Sequence, residues 1–185
     1  MAAGEDLKRK SKMLSLILRH QPGLIGLELE PGGWVEIDRL LEGLKRSGRR
    51  MTRDELDRVV RENDKQRFAF DSTGTKIRAS QGHSVPVDLE LEASEPPNVL
   101  YHGTHPGALA AILAEGLTKM QRHAVHLSPD VSTAVKVGGR RGKSVVLRID
   151  VKGMAAAGHA FYRSENGVWL TDSVPPEFLA VLSGG

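Results

Sequence analysis

At 185 residues, 39% hydrophobic and 26% charged, the chain is long enough for one large domain or two small ones, and its composition is that of a globular protein rather than a disordered or membrane-embedded one. The absence of cysteine excludes disulfides and thiolate chemistry, and leaves any zinc site to histidine and carboxylates alone. The net charge of +3 is unevenly spread: residues 1–85 hold 17 basic and 13 acidic side chains, residues 86–100 four acidic and no basic ones, and residues 101–185 nine basic and six acidic, a pattern that suits a polyanionic partner.

In the first segment Leu7, Leu14, Ile17 and Leu18 recur at helical spacing, while Lys8, Lys12, Ser15 and Arg19 fall on one narrow stripe of the same helix. The apolar run Met13–Leu18 is too short for a secretory core, so a cytoplasmic location is expected. Gln21-Pro22-Gly23 stops the helix, because a residue before proline avoids the helical region. Ile37, Leu40, Leu41 and Leu44 predict a second helix. Thr52 and Glu55 form a capping-box pattern for a third, with Leu56, Val59 and Val60 on its apolar face. Phe68–Phe70, a Ser-Thr-Gly turn and Lys76–Ala79 read as a hairpin. Three helices followed by a hairpin is the order of a winged-helix module, a common nucleic-acid binder.

Residues 86–97 read as an extended connector or edge strand ending in Pro-Pro. Val99-Leu100-Tyr101 predicts a strand running into His102-Gly103-Thr104, and a helix opens at Pro106 and closes at Gly116. Val125–Leu127 predicts a strand, with Ser128-Pro129 as the cap and first-turn proline of the next helix. Ser144–Val151, Ala160–Tyr162 and Val168–Thr171 are further strand candidates. The expected fold class is therefore α+β, with residues 1–85 as the first lobe, 86–98 as the connector and 99–185 as the second lobe.

Arg19 and His20 lie about 100° apart on a helix, so both can reach one point beyond its end. A helix C-terminus itself attracts cations, yet the apolar run before Arg19 sets its charge beside buried surface, where a guanidinium fork suits bidentate phosphate binding. Lys65-Gln66-Arg67 and Arg122-His123 are further basic clusters, and each arginine taken alone reads more readily as the partner of a surface carboxylate. His102/His105 and His123/His126 have a three-residue spacing, but in strand such pairs face opposite sides, so no metal is expected. Gly138–Lys143 has the composition of a phosphate-cradling segment or of a solvated basic loop. No carboxylate pair and no Ser or Cys nucleophile motif accompanies these clusters. Sites rich in Arg and His suit a reaction whose nucleophile is already anionic, such as a phosphate oxygen.

Six pieces of the sequence, in order, resemble the RNA 2′-phosphotransferase family, whose members remove the splice-junction 2′-phosphate left by some tRNA ligases. They are Leu16–His20, Lys65–Phe68, Ile77–Ser84, Tyr101–Thr104, His126–Pro129 and Tyr162–Val168. The resemblance implies an N-terminal winged-helix RNA lobe and a C-terminal lobe with the ADP-ribosyltransferase fold. It implies NAD as a consumed co-substrate and an RNA carrying a 2′-phosphate, tRNA-like, as partner. The reaction would pass through a 2′-phospho-ADP-ribosyl RNA and yield 2′-hydroxyl RNA, nicotinamide and ADP-ribose 1″,2″-cyclic phosphate. By the family pattern Arg19, His20 and Arg67 grip the 2′-phosphate and Arg122 acts on it in the second step. NAD contacts are implied at His102, Gly103, Thr104, His126, Ser128 and Arg141, with His102 on the adenosine ribose and His126 on the nicotinamide side. Val168 stands where protein-modifying ADP-ribosyltransferases place a glutamate. Two alternatives stay open: an ADP-ribosyltransferase that caps nucleic-acid phosphate ends, and a non-enzymatic winged-helix regulator. Nothing in the sequence demands more than a monomer, or a membrane.

Overall fold

The computed structural model describes residues 2–63 and 65–182, and the chain is α+β. It divides into two compact units, Met1–Leu91 and Glu92–Gly185, and the division falls inside the acidic stretch. Among the described residues no helix is long and apolar enough to cross a membrane.

The first unit is built on helix α1 (Ala2–Arg19), whose Leu14, Ile17 and Leu18 are fully buried. Each such aliphatic burial contributes about 1.5–3 kcal/mol. The α1 face packs into one core with Leu40 and Leu44 of helix α2 (Ile37–Arg46) and Leu56 and Val59 of helix α3 (Arg53–Arg61). Phe68 and Ile77, from the strands of this unit, close that core. The sheet holds β1 (Val35–Glu36), β2 (Phe68–Phe70) and β3 (Lys76–Ala79) in the antiparallel order β1-β3-β2. The hairpin register pairs Phe68 with Ala79, and its turn is closed by Asp71, which accepts from the N–H groups of Thr75 and Lys76 at 2.9 and 2.8 Å.

The capping box on α3 is formed in full: Thr52 accepts from Glu55 N–H at 3.2 Å, and Glu55 accepts from Thr52 N–H at 2.9 Å. The other Glu55 oxygen takes Lys10 Nζ of α1 at 2.6 Å, so one carboxylate both starts α3 and ties it to α1. The Lys10 hydrogen bond holds the Glu55 carboxyl below its usual pKa, with the Thr52 amide adding to the effect. Thr52→Ala should lower stability by about 1 kcal/mol. A shifted urea midpoint at constant slope is the expected readout, and an unchanged midpoint would contradict it.

Among the described residues the second unit holds two three-stranded antiparallel sheets and one strand pair. Its elements are β4 (Val99–Thr104), α4 (Pro106–Glu115), β5 (Leu117–Thr118), β6 (Val125–Leu127), α5 (Val131–Gly138), β7 (Val145–Asp150), α6 (Val151–Ala156), β8 (Tyr162–Arg163), β9 (Trp169–Thr171), β10 (Ser173–Val174) and β11 (Leu179–Val181). The sheet orders are β11-β7-β4 and β6-β9-β8, with β10 paired to β5. A bridge between Tyr101 and Ser128 joins β4 to the residue after β6. Leu100, Leu127, Leu147, Ile149, Phe161 and Trp169 form the centre of the core.

Two local expectations are corrected here. The cap of α5 is Asp130, not Ser128: its carboxylate accepts from Thr133 N–H at 2.8 Å, and the helix starts after Pro129. The strand expected through Val151 stops at Asp150, whose side chain accepts from Gly153 N–H at 3.1 Å and turns the chain into α6. Of the two readings of residues 86–97, the extended connector holds, with a single bridge from Ala93 to Tyr162.

Helix α5 lies against β4 at a glycine contact. A side chain on Gly103 would overlap the carbonyl of Ala134, and one on Gly138 would stand 2.7 Å from the Thr104 carbonyl oxygen. Only two hydrogen side chains allow the helix and the strand backbone to meet this closely.

Candidate functional site

In the first unit, the end of α1 is clasped by the segment that follows β3. The Arg19 carbonyl accepts from the N–H groups of Ser84 at 2.8 Å and Val85 at 3.4 Å. Ser84 Oγ and His20 Nδ1 are 2.8 Å apart, which fixes one edge of the imidazole. The chain turns under the Arg19 guanidinium at Gly82, where φ is +87° and a Cβ would lie 3.6 Å from Nη1. Left-handed backbone at that point favours glycine.

Arg19 Nη2 donates to the Arg67 carbonyl at 3.3 Å, bringing together residues far apart in sequence. Arg67 Nη1 in turn donates to Asn63 Oδ1 at 3.3 Å. Asn63 is buried; its Oδ1 also accepts from Lys65 N–H at 3.1 Å, and its Nδ2 donates to Ser11 Oγ at 3.0 Å. One amide therefore links α1, the end of α3 and the basic segment before β2. Ser80 N–H closes the arrangement on the Arg67 carbonyl at 2.9 Å. The result is a groove of about 930 Å³ lined by Lys8, Lys12, Ser15, Arg19, His20 and Arg67 among others. Among the described residues its single acidic lining residue, Glu62, is engaged by Arg58 at 3.2 Å. Such a surface can bind a phosphate dianion through planar, charge-assisted hydrogen bonds.

In the second unit, Tyr101 and Ser128 exchange two backbone hydrogen bonds at 2.9 and 2.7 Å, which sets His102 beside His126. His102 Nδ1 lies 3.0 Å from the His126 carbonyl oxygen. A carbonyl can only accept, so Nδ1 carries the hydrogen. Burial pushes the His102 pKa down, and the nearby Arg122 charge acts the same way against the carbonyl's opposite pull. The ring is therefore neutral near pH 7 and presents Nε2 as an acceptor. Arg122 Nη1 stands 3.2 Å from His126 Nδ1. A guanidinium can only donate, so His126 accepts there and keeps its hydrogen on Nε2.

The structure thus brings Arg19, His20 and Arg67 together in the first unit, and His102, His126, Ser128 and Arg122 together in the second. Gly103 and Thr104 sit under α5, with the Thr104 side chain buried. Arg141 lies in a short 3-10 turn, Gly139–Arg141, and its side chain is outside the described atoms. Asn63 and Ser84 are the organising residues that sequence reasoning gave no role. Ser84 stood inside a recognised motif, but Asn63 carried no signal beyond its place just before the basic cluster.

A family model described as "RNA 2′-phosphotransferase, Tpt1 / KptA family" matches residues 5–173. The chain belongs to this family. Membership makes it an enzyme, a transferase. The chain is similar along nearly its whole length to proteins named probable RNA 2′-phosphotransferase. One from Streptomyces coelicolor is 57% identical over 175 residues, 95% of each chain. One from Nostoc punctiforme is 54% identical over 173 residues, covering 94% of this chain and 96% of the relative. One from Hahella chejuensis is 54% identical over 178 residues, 96% of each.

Proposed function

We propose that this phosphotransferase removes an internal 2′-phosphate from RNA by transferring it to the ADP-ribose part of NAD. The observation that carries the reading is the convergence of Arg19, His20 and Arg67 on one groove, where the one acidic lining residue among the described residues, Glu62, is already engaged by Arg58. In this reading the first unit is a winged-helix RNA lobe, supported by its order of three helices and a hairpin. The second is an ADP-ribosyltransferase-like lobe that holds NAD.

The second-unit residues fit a dinucleotide. The His102 acceptor suits a ribose hydroxyl of the adenosine half. His126, with its hydrogen on Nε2, is a donor for the nicotinamide half, and Ser128 adds a hydroxyl beside it. Gly103, Thr104 and Arg141 complete the proposed contacts, the first two through backbone that α5 holds in place.

In the first step a 2′-phosphate oxygen bonds to the anomeric carbon of the nicotinamide ribose, and the bond to nicotinamide breaks with its electron pair. In the second, the ribose 2″-oxygen bonds to phosphorus and the bond to the RNA 2′-oxygen breaks. The proton of the 2″-hydroxyl ends on that RNA oxygen, and in this reading His20 carries it. Arg122 stabilises the charge that builds on phosphorus. The products are 2′-hydroxyl RNA, nicotinamide and ADP-ribose 1″,2″-cyclic phosphate.

The test is to incubate the protein with NAD and a 2′-phosphorylated oligonucleotide and to identify both products by mass. Cyclic phosphate together with dephosphorylated RNA is expected. An ADP-ribosylated RNA as the end product would replace this reading with phosphate capping, and release of no nicotinamide would exclude both.

A further inference from the structure

The basic groove extends well beyond the three residues assigned to the 2′-phosphate. Lys8, Lys12 and Ser15 line it along α1, one helical turn after another, before Arg19 is reached. Four residues of helix advance about 6 Å, so Lys8 and Lys12 are spaced like successive phosphates of an extended nucleic-acid strand. From Lys8 to Arg19 the stripe runs roughly 16 Å.

The two lysine charges on this stripe are not spent on the described part of the protein. Lys10, on the same helix but off the groove, is held by Asp6 and Glu55, both at 2.6 Å. Arg9 is held by Asp6 at 2.7 Å. Lys8 and Lys12 are exposed, and among the described residues neither meets a carboxylate or a hydrogen-bond partner. The groove also has apolar surface: Leu7 and Val59 line it, and Leu16 is 40% exposed there. Ammonium groups beside apolar surface match the two sides of a nucleotide strand, phosphates and base or ribose faces.

We infer that the α1 groove is a track for the single-stranded RNA flanking the phosphorylated nucleotide, with Lys8 and Lys12 each neutralising one backbone phosphate. The inference rests on the proposed function for the identity of the substrate. It adds an affinity term that depends on RNA length and not on the reacting atoms.

The test is fluorescence anisotropy without NAD, across a series of salt concentrations, on wild type, K8Q/K12Q, K8R/K12R and R9Q. The ligands are a single-stranded octanucleotide with a central 2′-phosphate, the same octanucleotide without it, and a 2′-phosphorylated dinucleotide. K8Q/K12Q should bind both octanucleotides about tenfold more weakly at low salt, with the slope of log affinity against log salt reduced by roughly 1.4. Its dinucleotide binding should match wild type, and K8R/K12R and R9Q should bind like wild type throughout. Unchanged octanucleotide binding by K8Q/K12Q would overturn the track. So would an equal loss on the dinucleotide, or an equal loss in R9Q. Wild type binding the two octanucleotides equally would instead count against the proposed 2′-phosphate grip, while the track would still be read from the lysine variants.

Discussion

Replacing Arg122 with alanine should separate the two chemical steps. The Arg122 guanidinium is exposed and donates to His126 Nδ1 at 3.2 Å, so its removal leaves the backbone of the second unit untouched. In the proposed reaction, expelling neutral nicotinamide asks for little charge stabilisation, whereas the second step gathers negative charge on phosphorus. Losing one preorganised donor at such a centre should cost about 3 kcal/mol, roughly a hundredfold in rate. A 2′-phospho-ADP-ribosyl RNA should therefore accumulate during the time course, visible by gel with labelled RNA. Arg19→Ala should behave differently. In the proposed mechanism it acts before either step, through phosphate binding, so turnover should fall with little intermediate. Equal loss of both steps in Arg122→Ala, with nothing trapped at any time, would show that this arginine positions substrate generally.

Gly103→Ala should damage the second unit itself. The added methyl would overlap the Ala134 carbonyl, a backbone atom in the middle of α5 that cannot swing aside as a side chain would. Either α5 lifts from β4 or β4 bends, and both disturb close packing. A cost of roughly 3 kcal/mol or more is expected. His102, one residue away, should lose its alignment on the His126 carbonyl, so activity should fall with stability. Gly139→Ala is the control, since φ there is −72° and the nearest atom to a new Cβ is 4.0 Å away. Thermal unfolding by circular dichroism separates the cases: a melting temperature for Gly103→Ala as high as that of Gly139→Ala would refute the packing argument.

Much of the first unit was legible because its signals are local. Helical spacing announced α1 and α2, the Thr52/Glu55 pair announced the start of α3, and a short turn announced the hairpin. β1 was missed because two residues, Val35 and Glu36, become a strand only by pairing with Ile77 and Lys76. β5, β10 and β11 were missed for the same reason: short segments have no periodicity and are strands only by virtue of distant partners. α6 hid behind an apolar run that reads as strand until Asp150 caps it. For the sites, cations and histidines could be picked out by type and motif. What holds them could not. Asn63 reaches Ser11 across 52 positions and Ser84 reaches His20 across 64, distances at which one sequence offers no pattern to read.

The clasp on the end of α1 has an entropic consequence. Any helix leaves its last carbonyls without internal partners. Here the Arg19 carbonyl is taken by the N–H groups of Ser84 and Val85, while the side chains of Arg19 and His20 are held by Arg67 and Ser84. Immobilising a flexible side chain on binding costs about 0.5–1.5 kcal/mol each. For these two residues most of that ordering has already happened during folding. In the proposed function, an anion arriving in the groove therefore meets groups whose freedom is already lost, and more of the interaction is left to show as affinity. The same arrangement makes the segment from Ser80 to Val85 a remote control on the groove: loosening it would weaken anion capture without removing a single contact to the anion.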